Sequence, residues 1–518
     1  MFTRRIGQIG LRSLAVLVLA MGLGACGTTQ PADITPASIW VTGQVPTMGA
    51  LVSGTPTRSY SLPPTRVPGM PEASPTPDAP HYQPGTPGAA QSYVVQSGDI
   101  LSAIAEKYSV SLQALAQANH IADVNSLVVG QTLTIPAMTP RPAGPSFKMI
   151  PDSELVYGPL ANQTDVDAFI HAKGGYLTTY TQDVDGASLT AAQVIVEAAQ
   201  ESSINPRLLL ALLEYRAGWV TNPNPNPALN EQPFGFYDSW YHGLYRQLEW
   251  AAIQLNGGYY RWRSKTVTQW VLKDGSAVPV DPTINAGTAG VQNFFAQLDD
   301  YPTWVKDVSP GGFFDTYYVL FGNPFDLAIE PLIPANLVQP VLQLPFGPGE
   351  TWYFTGGPHL AWLDGTPYGA LDFAPPGDTQ CGDESDAWVT AVADGLVARV
   401  GGGQVILDLD GGNNEGSGWV IFYMHIATRD RVTVGTFLHA GDHVGHPSCE
   451  GGEATGMHVH LVRKFNGEWV SALGPLLPFD LSGWISAGTG DQYVGTLTRN
   501  GVVLNAMDSA SPENQVER

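Results

Sequence analysis

Thr455-Gly456-Met457-His458-Val459-His460-Leu461-Val462 alternates polar with apolar residues as a β-strand does, so the imidazoles of His458 and His460 point to the same face. Two imidazoles then share one side of a sheet, where they are candidates for a metal site. A catalytic zinc ion commonly takes three protein ligands and keeps a fourth position open, so this pair needs help from elsewhere in the chain. Two upstream segments can supply it. One is Gly356-Gly357-Pro358-His359, followed by Tyr368-Gly369-Ala370-Leu371-Asp372-Phe373-Ala374; the other is Val420-Ile421-Phe422-Tyr423-Met424-His425, an apolar strand that ends in a histidine.

Taken in this order, the elements resemble the lysostaphin-like and β-lytic zinc metallopeptidases, which cleave peptide bonds in bacterial peptidoglycan. Members carry a His…Asp pair, a Tyr-x-His and a final His-x-His. The lysostaphin form places its first His four residues before the Asp, where this chain has Tyr368. The β-lytic form uses a longer separation in a GGxH…LDF context, and His359 and Asp372 match it. The resemblance implies that His359, Asp372 and His460 bind Zn²⁺, with His425 and His458 on the open side. It further implies that His458 is the general base and His425 stabilises charge on the tetrahedral intermediate, two roles that the sequence leaves exchangeable. His439, His443 and His446 lie in a Gly-containing loop that matches the family's G-D-x-V-G turn. They read as solvated loop residues rather than a second metal site.

A chain of 518 residues suggests three or four domains. Its formal charge of −23 argues against nucleic acid as a partner, because phosphate binding requires neutralising cations. Residues 1–25 read as an export signal: Arg4, Arg5 and Arg12 precede the short apolar run Leu14 to Leu23. Leu23-Gly24-Ala25-Cys26 resembles a bacterial lipobox, which implies a lipidated Cys26 and a membrane anchor at the cell envelope. Two further cysteines remain, Cys381 and Cys449, an even pair in an oxidising compartment and a plausible disulfide. Residues 26–91 are rich in Pro, Thr and Ser and read as an extended tether.

The expected fold is multidomain. Residues 92–137 look like a LysM module, with Y-x-V-x-x-G-D-x-L at Tyr93 and L-x-x-G-Q-x-L-x-I-P closing at Pro136. Such modules fold as βααβ and bind peptidoglycan or chitin glycan. Gly98, Asp99, Asn119 and Ile121 occupy the loops where the family holds sugar, although Asp99 reads equally well as a helix cap. Residues 147–336 have helical apolar spacing, as in Pro206-Arg207-Leu208-Leu209-Leu210-Ala211-Leu212-Leu213 with Asn205 as cap.

Part of this middle region resembles lysozyme-like domains, but the catalytic glutamate position holds Arg216, with Glu214 nearby and Glu201 as a competing choice. It reads as a non-catalytic spacer or glycan platform, in which Tyr259-Tyr260-Arg261-Trp262 either stacks on sugar or belongs to the core. Residues 338–506 read as the antiparallel β-sheet metallopeptidase domain and 507–518 as a polar tail. The function expected is zinc-dependent endopeptidase action on peptidoglycan cross-links or stem peptides. The alternatives are an inactive wall-binding regulator of another hydrolase and a bifunctional enzyme that also cuts glycan.

Overall fold

A computed structural model describes residues 81, 91–96, 99–108, 110, 112–121, 124, 127–136, 142–377, 380–474 and 476–518. The export signal, Cys26 and Gly98 lie outside the described residues, as does the tether apart from His81 and Gln91. Among the described residues, no helix is long and apolar enough to cross a membrane.

The first folded unit follows the βααβ order. Strand Gln91–Val94 pairs antiparallel with Thr132–Ile135, and helices Leu101–Lys107 and Leu112–Ala118 lie between them in the chain. Leu101, Ile104, Leu115 and Leu133 form its small core. The Asp99 carboxylate accepts from Tyr93 Oη (2.8 Å) and the Gln96 amide (2.7 Å), so it closes the turn ahead of the first helix. Asn119 is tied to the second strand, accepting from the Thr134 amide at 2.6 Å and donating to the Thr134 carbonyl at 2.8 Å. Ile121 packs against the core. The side chains of these three candidate sugar contacts are thus engaged within the module.

The middle region is built around helix Pro206–Ala217, whose Leu208 to Leu213 are fully buried all the way round, the signature of a central helix. Asn205 caps it through the Arg207 amide (3.0 Å), and Gly218 ends it in the left-handed conformation (φ 68°). Helix Gly243–Arg263 crosses Ala286–Ala296 at close range, because any Cβ on Gly258 would meet the Ala289 carbonyl at 2.5 Å. Tyr259, Tyr260 and Trp262 are buried, so this run is core rather than a stacking surface.

The C-terminal sheet has the strand order Phe437–Leu438, Gly395–Gly401, Gln404–Asp408, Trp419–Met424, Val459–Phe465, Tyr368–Ala374, Thr351–Leu360 and Gln515–Glu517, with Glu468–Trp469 pairing Val459–Phe465. All neighbours are antiparallel. Leu371, Phe373, Ile421, Tyr423, Val459 and Leu461 face one core. Ala370, Val420, Phe422, Met424 and Val462 face the other and join the core of the helical region. That region is therefore a layer on the sheet, not a spacer.

Trp484–Gly488 and Gly495–Arg499 belong to a separate four-stranded sheet with Asp480–Leu481 and Val502–Asn505. The polar tail contains an edge strand: Val516 is fully buried between outward-facing Gln515 and Glu517, opposite Trp352. One inward valine among polar neighbours is enough to anchor it.

Candidate metal centre

Cross-strand register assembles the site. His460 stands opposite Asp372 on one side and Met424 on the other, and Gly356 stands opposite Asp372 from the next strand. The lack of a side chain at Gly356 is what admits the carboxylate, since a Cβ there would overlap Asp372 Oδ2. Irregular register between Gly356 and His359 then turns the His359 ring inward. His425 ends its strand in the left-handed conformation (φ 61°), uncommon for a non-glycine residue.

His359 Nε2, Asp372 Oδ1 and His460 Nδ1 converge: 3.0 Å separates the two nitrogens and 3.3 Å separates each from the carboxylate oxygen. Donors placed about 2.0–2.1 Å from a tetrahedral zinc lie roughly 3.3 Å apart, so the triangle fits that ion. The ring nitrogens facing away are all spent on backbone carbonyls. His359 Nδ1 donates to Gly357 (2.8 Å) and His460 Nε2 to Ala361 (3.1 Å); His425 Nδ1 donates to Glu450 (3.1 Å) and His458 Nδ1 to Gly456 (2.7 Å). These bonds set the tautomers, leaving each inward nitrogen with a lone pair. Three acceptors meet without a proton among them, and Asp372 Oδ1 is buried with no hydrogen-bond partner. A cation resolves that conflict, and among the described residues this is the one His/Cys/Asp/Glu group close enough to hold a metal.

Electrostatics agrees. Burial opposes ionisation of Asp372, but the imidazoles of His359, His458 and His460 around it outweigh burial and hold the carboxyl well below its usual range. Burial works against a His359 cation too, yet Asp372 prevails and raises its pKa. His460 is lowered, chiefly by burial. His425 is pushed down to about 3 by burial and then by the charges of His458 and His460. His425 and His458 stack at 4.5 Å beside the triad, and His458 Nε2 is 3.8 Å from Asp372.

The structure thus brings all five predicted site residues together. It adds Tyr493, which the sequence did not single out: its ring stacks on His359 at 4.3 Å, and its backbone pairs with Gly357 and Pro358. Cys381 and Cys449 form a disulfide, Cα atoms 5.6 Å apart, joining the loop after Asp372 to the loop before His458. His439 is exposed, but His446 is buried against Trp388 at 3.9 Å and is no solvated loop residue. In the helical region, Glu214 accepts from the Val220 and Thr221 amides and Thr221 Oγ1, while Glu201 accepts from Tyr245 Oη and Gln404 Nε2. Both carboxylates are structural anchors.

Residues 148–335 match the family model described as LasA, N-terminal domain, and residues 93–136 match the LysM domain. The first interval is the one whose sequence resembled lysozyme-like domains. The chain is 26% identical over 293 residues to Protease LasA of Pseudomonas aeruginosa, covering 52% of this chain and 65% of that protein. It is 50% identical over 46 residues to the Cortical fragment-lytic enzyme of Bacillus subtilis, covering 9% of this chain and 11% of that one. Similar solved structures include the M23 metalloprotease pseudoalterin (24% identity, 33% of this chain and 96% of that one, TM-score 0.27). Another is the catalytic domain of the antimicrobial peptidase lysostaphin from Staphylococcus simulans (25% identity, 24% and 88%, TM-score 0.17). The chain resembles a lysostaphin-like peptidase that carries a LysM domain.

Proposed function

We propose that the protein is a zinc-dependent endopeptidase that cleaves peptides of bacterial peptidoglycan and is held at the wall by its LysM module. The observation that carries this is the triangle of His359, Asp372 and His460 donor atoms around an orphaned buried carboxylate oxygen. Zinc bound there supplies Lewis acidity, polarising a carbonyl and lowering the pKa of water towards neutrality.

The protein's own residues do the rest. His458, the less buried of the two remaining histidines, presents Nε2 and takes the proton. His425 is neutral with its N–H committed to Glu450, so its Nε2 orients water by accepting a hydrogen bond. That suits it less well to the oxyanion role expected from sequence, which needs a donor. The likeness to Protease LasA supports peptide-bond cleavage, and the LysM match supports glycan binding. Export and lipidation at Cys26 complete the reading, with the enzyme held on an envelope membrane.

Metal analysis of the purified protein is expected to give about one zinc per chain. Asp372→Asn is expected to lower zinc affinity roughly 100-fold or more. A chelator is expected to abolish release of free amines from purified sacculi, with zinc restoring it. Amine release that persists in chelator overturns the proposal.

A further inference from the structure

The His460 ring nitrogen that faces away from His359 and Asp372 is held by the Ala361 carbonyl, which accepts from Nε2 at 3.1 Å. This bond keeps the proton on Nε2 and the lone pair on Nδ1, the atom that meets the other two ligands. Ala361 opens the loop that joins strand Thr351–Leu360 to strand Tyr368–Ala374. Whatever fixes this loop therefore fixes the tautomer and orientation of a candidate metal ligand.

Within the loop, the Ala361 amide donates to the Pro367 carbonyl (2.9 Å), the Trp362 amide to Thr366 Oγ1 (3.1 Å), and Thr366 Oγ1 to the Leu363 carbonyl (2.8 Å). These bonds close the loop on itself, and its seat is the helical layer. Gly365 (φ 87°) lies against helix Gly243–Arg263, where an added Cβ would stand 2.5 Å from the Ile253 carbonyl oxygen and 2.7 Å from the Gly257 nitrogen. Gly257 has no side chain either, so two backbones meet directly. Ala361 is fully buried in the core of the helical region, and Trp362 packs against that same core. The Trp362 ring lies 5.5 Å from Phe422, whose ring meets that of His460 at 6.4 Å. His359 is supported differently: its Nδ1 donates to the Gly357 carbonyl, and the Gly357 amide donates to the Tyr493 carbonyl.

We propose that the helical layer is a working part of the metal centre: seated on Gly257, the loop 361–367 holds His460 in the tautomer and orientation that bind the ion, with Gly365 and Thr366 as positioning residues. The inference rests on the reading of His359, Asp372 and His460 as zinc ligands.

The test uses the full-length protein, labelled with nitrogen-15 and loaded with zinc or, as a visible probe of the same ligands, cobalt. Gly365→Ala lifts the loop from the helix. It is expected to weaken zinc binding about tenfold or more, as loss of a ligand's support does, and to change the visible spectrum of the cobalt form. Asn205→Ala loosens the same layer at the cap of its central helix rather than at the loop, and is expected to keep both the wild-type affinity and the wild-type spectrum. Should Gly365→Ala fold poorly, Thr366→Val, which removes only the two hydroxyl bonds, is expected to weaken zinc binding severalfold. Wild-type affinity and spectrum in the folded loop variant overturn the inference, and so does an equal loss in Asn205→Ala. If the wild-type protein binds no zinc, the ligand reading fails separately and the tautomer decides. In metal-free protein the His460 ring nitrogens are expected to show a single Nε2–H form, which the loop variant turns into a mixture; an unchanged form overturns the inference.

Discussion

Glu197 sits one helical turn before Glu201 on helix Ala191–Ser202, an arrangement that sets two like charges side by side. Its pKa is pushed up to about 7, first by burial and then by the charge on Glu201. Because the folded value exceeds the unfolded one, the favourable contribution is complete below about pH 4.5 and is lost as pH rises through about 7. Glu197→Gln is therefore expected to stabilise the protein at pH 8 by about 1 kcal/mol, after discounting for partial solvent exposure. The gain should vanish near pH 4.5; equal shifts of the unfolding midpoint at both pH values would contradict this assignment. Reading at the level of residues had an uneven reach. His359 was legible because two glycines and a distant Leu-Asp-Phe framed it. Tyr493 was not, because its stacking on His359 depends on a separate sheet folding back onto the Gly357 backbone. His446 was misread because its burial comes from Trp388, just ahead of the strand Val389–Thr390, which local composition cannot bring to it.

Strands and their register carry the candidate metal centre. The alternation around His458 and His460 was readable since period-two patterning survives wherever one face holds polar ligands. The cap and first turn at Asn205 and Pro206 were readable for the same reason: their chemistry is local. The role of Gly356 was not, because it lies in a cross-strand pair that sequence spacing does not reveal. Adding a methyl group there forces the Asp372 carboxylate aside or spreads the strands. Gly356→Ala is expected to weaken zinc binding by at least about tenfold, as displacement of a ligand's support does, while far-ultraviolet circular dichroism stays unchanged. A chelator-competition titration measures the affinity, and wild-type affinity in this variant would show that the close approach is not needed.

At the scale of the molecule, the sheet is covered on both faces, and that was the least legible feature. Strand Trp419–Met424 is buried at every position, so it reads as one apolar run and says nothing about what lies above it. The cover is the helical region, and polar contacts fix its seat. Glu468, on the sheet's short strand, is buried; it accepts from Tyr259 Oη at 2.5 Å and pairs with Arg263 at 3.3 Å, while the Trp469 amide donates to Tyr260 Oη at 2.9 Å. Burial, partly offset by Arg263, raises the Glu468 pKa, so the carboxylate depends on these partners. Removing it leaves a buried hydroxyl and a guanidinium without their shared acceptor, at a cost of about 3 kcal/mol. Tyr259→Phe, which takes away one neutral donor, costs nearer 1 kcal/mol. Because the layers share a core, Glu468→Ala is expected to shift a single denaturation transition seen alike by tryptophan fluorescence and circular dichroism. Two separated transitions in the wild type would instead make the helical layer an independent unit, and zinc affinity would then be indifferent to Glu468.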